Sequence, residues 1–168
     1  ASYANTDTVE KSSLVQKAWH EAWVDGHEIG NHTSSHSDKL KRNSCQSLWE
    51  SEINQCELFL TGPYASNSPA HMKCSAGGIG LDRQTIYGFR TPFLSYTDET
   101  FTAVKKHGFL YDCSIEDGWQ GEQDGRNFCW PYTLDQGSPG DALIWKWPGI
   151  DRPRPIGKYP GLWELPLH

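Results

Sequence analysis

The sequence predicts one α/β domain spanning residues 1–168, in which helices alternate with short buried strands of a parallel sheet. Two observations support this class. The chain is long enough to bury a core, and its 36% hydrophobic and 21% charged residues are typical of a globular protein. Amphipathic segments with a helical repeat also alternate with short apolar segments, which places any chemistry at the carboxyl ends of the strands.

The first predicted helix spans residues 8–24. Its apolar residues recur at helical spacing, at Leu14, Val15, Ala18, Trp19, Ala22 and Trp23. Thr6 or Asp7 is expected to cap the start of this helix, and Gly26 is expected to end it. A short strand is predicted to follow, from Glu28 to His32.

A second helix is predicted from residue 44 to residue 60. One face of it carries Leu48, Glu52, Cys56 and either Phe59 or Leu60. Gly62-Pro63 is expected to stop the helix. Residues 63–84 are rich in Gly, Ser, Pro and Asn, which predicts a long loop tied by Cys74.

The remaining elements continue the alternation. A strand at residues 85–90 is followed by a helix from Asp98, as its N-cap, to His107. A strand at residues 109–112 then leads into a region rich in Gly and aromatic residues. The last strand is predicted at residues 162–167.

The composition excludes several classes of partner. The net charge of −6 argues against nucleic acid, because phosphate binding requires a basic surface. No stretch approaches 18 apolar residues, so no membrane span is predicted. The chain has 8 Trp, 7 Tyr and 6 Phe, and such rings at a surface suit the binding of sugars.

The five cysteines predict a secreted protein. They lie at positions 45, 56, 74, 113 and 129, without the close pairs of a zinc ribbon, and so suit disulfides in an oxidising compartment. We predict a disulfide between Cys113 and Cys129. Cys45 and Cys56 would lie about 16 Å apart along one helix, which is beyond disulfide reach. Cys74 is therefore expected to bridge to one of them, and the odd count leaves one thiol unpaired or paired outside this chain.

The segment GHEIGNHTSSH, at residues 26–36, carries the strongest local signal. His32 and His36 are four residues apart, so one helical turn or tight loop directs both imidazoles at one ion. His20, His27, His71 and His107 lack this context and are interpreted as ordinary surface or core residues. The segment therefore predicts a site for a divalent metal, zinc first.

This segment resembles the second motif of the NodB-type polysaccharide deacetylases, carbohydrate esterase family 4. In that family His-(Ser/Thr)-x-x-His supplies two of three protein ligands to a zinc-like metal. The segment GFRTPFLSY resembles the third motif, Arg-x-Pro-(Tyr/Phe), at Arg90, Pro92 and Phe93. WPYTLD at residues 130–135 and GLWELP at residues 161–166 resemble the chitin-deacetylase-like branch, and the motifs occur in family order.

The fourth and fifth family motifs have looser counterparts. Asp112 followed by Trp119 resembles the fourth motif at wider spacing. The fifth motif, Leu-x-His, is similar to the end of the chain, where His168 is out of step by one residue. By this resemblance His168 would protonate the leaving amine. Trp119 and Trp130 are expected to take part in substrate binding.

The resemblance implies a fold and a reaction. The fold would be a distorted (β/α) barrel, and the reaction the metal-dependent removal of acetyl groups from an N-acetylglucosamine polysaccharide, chitin ahead of peptidoglycan and acetylated xylan. Arg90 would orient the base aspartate, or alternatively form a structural salt bridge with Asp112. A backbone N–H near Phe93 would stabilise the oxyanion. The sequon Asn31-His32-Thr33 is expected to be buried and unused, because a glycan there would block the site.

One departure from the family affects the expected activity. The first family motif contains adjacent aspartates, which supply the base and the third metal ligand, but this sequence has no Asp-Asp pair. Asp7 is interpreted as a helix cap. We therefore expect the barrel to lack its first strand or strands, with the Asp-Asp segment upstream. The alternative is a non-catalytic carbohydrate-binding homologue, or an inactive fragment of such an enzyme.

Overall fold

A computed structural model describes residues 12–37, 40, 45–64, 77–116, 129–139 and 156–167. These residues form three α-helices and four short strands. The helices are α1 (Ser13–Val24), α2 (Gln46–Thr61) and α3 (Asp98–Lys106), and the strands are β1 (Gly88–Phe89), β2 (Tyr111–Asp112), β3 (Tyr132–Thr133) and β4 (Trp163–Glu164). The predicted α/β class is confirmed as a mixture of helices and an open mixed sheet.

The chain divides into two compact units. The first comprises Ala1–His36 and Ser51–Tyr87, and the second comprises Ser37–Glu50 and Gly88–His168. Helix α2 contributes residues to both. The core of the first unit includes Ile53, Leu60, Ile79, Leu81 and Ile86, and that of the second includes Trp49, Phe89, Phe101, Val104, Phe109, Leu134 and Leu162.

Helix α1 begins later than predicted. Ser12, rather than Thr6 or Asp7, is the N-cap, and its hydroxyl accepts a hydrogen bond from the N–H of Val15 at 3.4 Å. Gly26 ends the helix as predicted, with φ at 91° and its N–H donating to the carbonyl of Trp23. No residue of α1 is buried, so its apolar face is only partly covered.

The strand predicted from Glu28 to His32 is wrong. These residues form no strand, although Ile29 and Asn31 are buried. The side chain of Asn31 reaches α2 and donates to the carbonyl of Ile53 at 3.1 Å. The segment is thus fixed by a side-chain hydrogen bond. The end of α2 agrees with the prediction, since the N–H of Gly62 closes the helix on the carbonyl of Leu58.

The sheet has the strand order β1-β2-β4-β3. The first three strands are parallel, and β3 pairs antiparallel with β4. β1, β2 and β4 are shorter than predicted, and β3 was not predicted. Of the strand predicted at residues 162–167, only β4 is formed. After β4 the segment makes one isolated β-bridge, between Glu116 and Leu167. Parallel pairing brings the carboxyl ends of β1, β2 and β4 to one edge of the sheet, which we call the carboxyl edge.

Helix α3 is capped by Thr97 rather than by Asp98. Thr97 and Thr100 form a capping box, in which the Oγ1 of Thr100 accepts from the N–H of Thr97 at 2.9 Å. Asp98 and Glu99 lie in the first turn, and Lys105 and Lys106 lie in the last turn. Both pairs complement the helix dipole.

The predicted disulfide between Cys113 and Cys129 is not formed in the structure. The sulfur of Cys113 instead lies 3.2 Å from the Nε of Arg90 and 3.6 Å from the carbonyl oxygen of Phe89. The side chain is therefore directed at the end of β1. Cys74 lies outside the described residues, so its predicted bridge to Cys45 or Cys56 stays a prediction.

None of the helices that the structure describes is long and apolar enough to cross a membrane.

The register of β1 and β2 depends on Gly88. Gly88 is the partner of Tyr111, and a Cβ at position 88 would overlap the Tyr111 ring. We expect Gly88→Ala to reduce the free energy of unfolding by about 1–3 kcal/mol, the usual cost of overpacking. In a Tyr111→Ala background the same change should cost much less, because the ring is gone. Urea unfolding of the wild type, Gly88→Ala, Tyr111→Ala and the double variant measures the cost of Gly88→Ala in each background. Equal costs in the two backgrounds would contradict this packing.

Candidate functional site

The loop from Asn31 to His36 in the first unit carries the two predicted metal ligands. The structure brings them together, since the ring centroids of His32 and His36 are 5.2 Å apart with the rings inclined at 69°. Both side chains are half-buried. Edge-to-face pairs of aromatic rings occur at this distance without any metal, so the distance alone does not establish a metal site.

The spacing nevertheless fits a tetrahedral metal. A zinc ion bound to one nitrogen of each ring at about 2.1 Å would hold the two ring centroids about 5 Å apart. The donor set also fits, because neutral imidazole is a common zinc ligand. Thr33 lies between the two histidines in sequence. Its Oγ1 is buried and has no hydrogen-bond partner among the described residues. His32 and His36 can therefore supply two ligands to one ion.

The third ligand is not found in the part of the chain that the structure describes. Among these residues no group of three or more His, Cys, Asp or Glu side chains is placed to hold a metal ion. This agrees with the absence of an Asp-Asp pair from the sequence. Two imidazoles alone leave a zinc site short of the three protein ligands that catalytic sites use.

Asn31 fixes the start of the loop. Its Nδ2 donates to the carbonyl of Ile53, and its Oδ1 accepts from the N–H of Thr33 at 3.0 Å. Asn31 is only 1% exposed, as is Thr33. The predicted burial of the sequon Asn31-His32-Thr33 is thus confirmed, and its disuse as a glycan acceptor stays a prediction.

Two residues of the loop adopt a left-handed backbone conformation. Thr33 has φ at 62° and His36 has φ at 51°. This region is uncommon for residues other than glycine, and for a β-branched residue such as Thr33 it is strained. The surrounding structure must therefore hold the loop in place.

Glu52 of α2 supplies much of that restraint. Its Oε2 accepts from the N–H of Ser34 at 3.1 Å, from the hydroxyl of Ser34 at 2.9 Å and from the N–H of Ser35 at 2.8 Å. Its Oε1 accepts from the hydroxyl of Ser35 at 2.6 Å. Burial opposes ionisation of this group, but the hydrogen bonds outweigh burial and lower the pKa of Glu52.

Cys56, one helical turn after Glu52, lies under the same loop. It is buried, and the backbone of His32 hydrogen-bonds to its sulfur. Burial raises the pKa of the Cys56 thiol to about 11, so the thiol is protonated at neutral pH. Among the described residues Cys56 does not group with His32 and His36 to hold a metal ion, and it packs beneath the loop.

Sequence analysis placed Glu52 and Cys56 on one face of α2 but missed the role of Glu52. A signal was present, because a glutamate within an otherwise apolar face is unusual. What the sequence did not reveal is that Ser34 and Ser35, 18 and 17 residues earlier in the chain, would fold against it.

The second unit gathers other predicted residues at the carboxyl edge of the sheet. Arg90 follows β1, Asp112 ends β2 and Glu164 ends β4. Asp112 and Glu164 are register partners on adjacent parallel strands, and both are fully buried. Arg90 and Asp112 thus lie where the chemistry was expected, and their roles in it stay predictions.

Asp112 and Glu164 form a buried pair of carboxyl groups that hydrogen-bond to each other. The two oxygens of Asp112 accept from the N–H of Ser114 at 2.7 Å and from its hydroxyl at 2.8 Å. Oε1 of Glu164 accepts from the N–H of Ile115 at 3.0 Å, whereas no donor among the described residues reaches Oε2. A proton shared between the two carboxyl groups satisfies both of them.

The pair retains one proton at neutral pH. Burial raises the pKa of both carboxyl groups, and the charge on Asp112 raises the pKa of Glu164 further. Hydrogen bonds from Glu164 and Ser114, together with the positive charge of Arg90, favour the ionised form of Asp112. The pair therefore carries one negative charge at neutral pH, as two adjacent buried carboxyl groups do.

Arg90 lies at the same edge but is exposed. Its Nε donates to the carbonyl oxygen of Cys113 at 3.1 Å and contacts the sulfur of the same residue. Arg90 also acts electrostatically on Asp112. The side chain is thus tied to the residue after β2.

The loop after β1 holds Phe93 in a constrained conformation. The N–H of Thr91 donates to the hydroxyl of Ser114 at 2.9 Å, which links this loop to Asp112. Phe93 follows in a left-handed conformation with φ at 58°, and its side chain is 48% exposed. A strained exposed residue of this kind is typical of functional sites, which agrees with the predicted role of Phe93.

The other predicted substrate residues are only partly described. The indole of Trp130 is 78% exposed and so is open to a ligand. Trp119 and His168 lie outside the described residues. Their predicted roles in substrate binding and in proton transfer stay predictions.

The sequence matches no protein-family model, and no curated protein matches it.

The buried carboxyl pair predicts how stability depends on pH. Because the pKa of Glu164 is raised in the folded state, the folded protein binds more protons than the unfolded protein above about pH 4.3, the ordinary glutamate pKa. Stability should therefore fall as pH rises, by up to about 1.4 kcal/mol per pH unit. Glu164→Gln, which resembles the protonated acid, should remove this slope. Urea unfolding at a series of pH values measures it.

Glu99→Gln is the matched control for this test, since it removes an exposed carboxylate of α3. It should keep the pH slope of the wild-type protein. A Glu164→Gln protein with the wild-type slope would show that Glu164 is ionised in the folded state.

Proposed function

We propose that this chain is part of a secreted, metal-dependent polysaccharide deacetylase of the NodB type. The observation that carries the proposal is the pair of imidazoles of His32 and His36, fixed at a spacing that suits one tetrahedral ion. The motif resemblance at the same residues supplies the substrate class, an N-acetylglucosamine polymer of the chitin type. The parallel strands β1, β2 and β4 would be part of the distorted (β/α) barrel of that family.

The residues would divide the chemistry as follows. A bound zinc ion would lower the pKa of its water and polarise the acetyl carbonyl. His32 and His36 would hold the ion, Arg90 would orient a base carboxylate, and His168 would protonate the leaving amine. The backbone near Phe93 would stabilise the developing oxyanion, and the exposed rings of Phe93 and Trp130 would contact the sugar.

A second function, carbohydrate binding without catalysis, is favoured by one observation. Within the described residues the imidazole pair has no third metal ligand beside it, and no base carboxylate is supplied by an Asp-Asp pair. Exposed aromatic side chains such as Trp130 would still bind sugar rings. Binding of chitin oligomers without acetate release, with or without zinc, would identify this function.

The metal site can be tested directly. We expect zinc to bind the chain weakly, since two imidazoles supply only part of a site, and we expect the double change His32→Ala with His36→Ala to abolish binding. His27→Ala is the matched control, because His27 is exposed and lies on the same segment. Titration calorimetry and elemental analysis measure zinc binding by the wild type, the double variant and the control. An unchanged metal content in the double variant would place the metal elsewhere.

Activity provides a separate test. Without a base carboxylate the rate should fall by roughly 10²–10⁴, so the 168-residue chain should release little acetate from chitin oligomers. A longer form with an Asp-Asp strand ahead of residue 1 should release acetate, and Arg90→Ala should abolish that release. Enzymatic assay of acetate measures the release by the 168-residue chain, by the longer form and by the longer form with Arg90→Ala. Rapid deacetylation by the 168-residue chain would mean that another carboxylate acts as the base.

A further inference from the structure

We propose that Glu52 is a positioning residue that sets the geometry of the imidazole pair of His32 and His36 without binding the metal itself. The identity of the metal rests on the proposed function, whereas the restraint on the loop rests on the structure alone. Glu52 is remote from the histidines in sequence and belongs to none of the motifs that carry the family resemblance.

The hydrogen bonds of Glu52 all reach the residues between the two histidines. Ser34 and Ser35 each donate both a backbone N–H and a hydroxyl, at 2.6–3.1 Å from the carboxylate oxygens. Because His32 precedes these serines and His36 follows them, one carboxylate fixes the segment that determines the separation of the rings. Hydrogen bonds to a charged acceptor are among the stronger ones in proteins.

The structure does not place Glu52 as the missing third ligand. Among the described residues no group of three His, Cys, Asp or Glu side chains is placed to hold a metal ion. Oε2 of Glu52 accepts three hydrogen bonds and Oε1 accepts one, so turning Oε2 towards a metal would break bonds to Ser34 and Ser35. The carboxylate therefore acts through the loop, as carboxylates that orient metal-ligating histidines do from outside the coordination sphere.

The backbone of the loop requires such a restraint. Thr33 and His36 flank the two serines, and both adopt left-handed φ angles that are uncommon for these residue types. Asn31 restrains the first of them by accepting from the N–H of Thr33. Glu52 restrains Ser34 and Ser35, which follow Thr33. The residue after Glu52 in α2 is Ile53, whose carbonyl accepts the hydrogen bond from Asn31. Two consecutive residues of one helix thus hold the start and the middle of the loop.

The test compares zinc affinity and ring geometry in four forms of the 168-residue chain: wild type, Glu52→Ala, Glu52→Gln and Glu57→Gln. We expect Glu52→Ala to weaken zinc binding by about 10–100-fold, the usual effect of removing a group that orients a metal ligand. Glu52→Gln should lose less, because the amide oxygen can accept the three hydrogen bonds of Oε2 while the amide nitrogen donates to the hydroxyl of Ser35.

Glu57→Gln is the control on the same helix. The carboxylate of Glu57 pairs with Arg83 at 2.9 Å, so its removal changes a different contact of α2. Zinc affinity should be unchanged in this protein. Circular dichroism confirms that each variant is folded. Should Glu52→Ala fail to fold, the double change Ser34→Ala with Ser35→Ala removes two of the four donors and should give an intermediate loss of affinity.

A second readout does not depend on metal. Nuclear Overhauser contacts between the rings of His32 and His36 in the metal-free protein report their separation. They should be retained in Glu57→Gln, weakened in Glu52→Ala and partly restored in Glu52→Gln. A folded Glu52→Ala protein with wild-type zinc affinity and wild-type ring contacts would overturn the proposal. Absence of zinc binding in the wild type would instead count against the proposed function, and the ring contacts would still decide the role of Glu52.

Discussion

Helix α2 holds the loop from Asn31 to His36 through hydrogen bonds, and the imidazole pair depends on this arrangement. The loop lies outside the named strands, and side-chain hydrogen bonds to α2 satisfy several of its polar groups. Asn31 reaches the backbone of α2, and Glu52 of α2 reaches the loop. Leaving such groups unpaired would cost about 1–3 kcal/mol each. The geometry of the two rings therefore follows from the satisfaction of buried polar groups.

The carboxyl edge of the second unit is organised by the same requirement. Asp112 and Glu164 cannot both ionise when buried side by side, so one proton is retained between them. Ser114 and the N–H of Ile115 supply the remaining hydrogen bonds, and the hydroxyl of Ser114 also binds the loop after β1. This network connects three segments that carry predicted functional residues. A buried network of this kind fixes local geometry when its members are satisfied.

Several features of the fold were predictable because they depend on neighbouring residues. The apolar repeat located α1 and α2, a capping signal at Asp98 indicated α3, and Gly26 and Gly62 ended the first two helices as expected. The caps were less predictable. Ser12 and Thr97 lie close to other residues that also favour capping, and the choice among them depends on the local backbone. The strand predicted at residues 28–32 is wrong, and the contact of Asn31 with a helix later in the chain is not evident from the local sequence.

The sequence by itself determined which chemical groups are available: two imidazoles four residues apart, an arginine after a strand, and no pair of adjacent aspartates. These are properties of local patterns, and the structure placed His32 and His36 side by side as the pattern predicted. Only the tertiary structure decided that Glu52 would bind Ser34 and Ser35 and that Glu164 would share a proton with Asp112. Those contacts join residues that are distant in sequence, and no local preference encodes which distant segments will pack together.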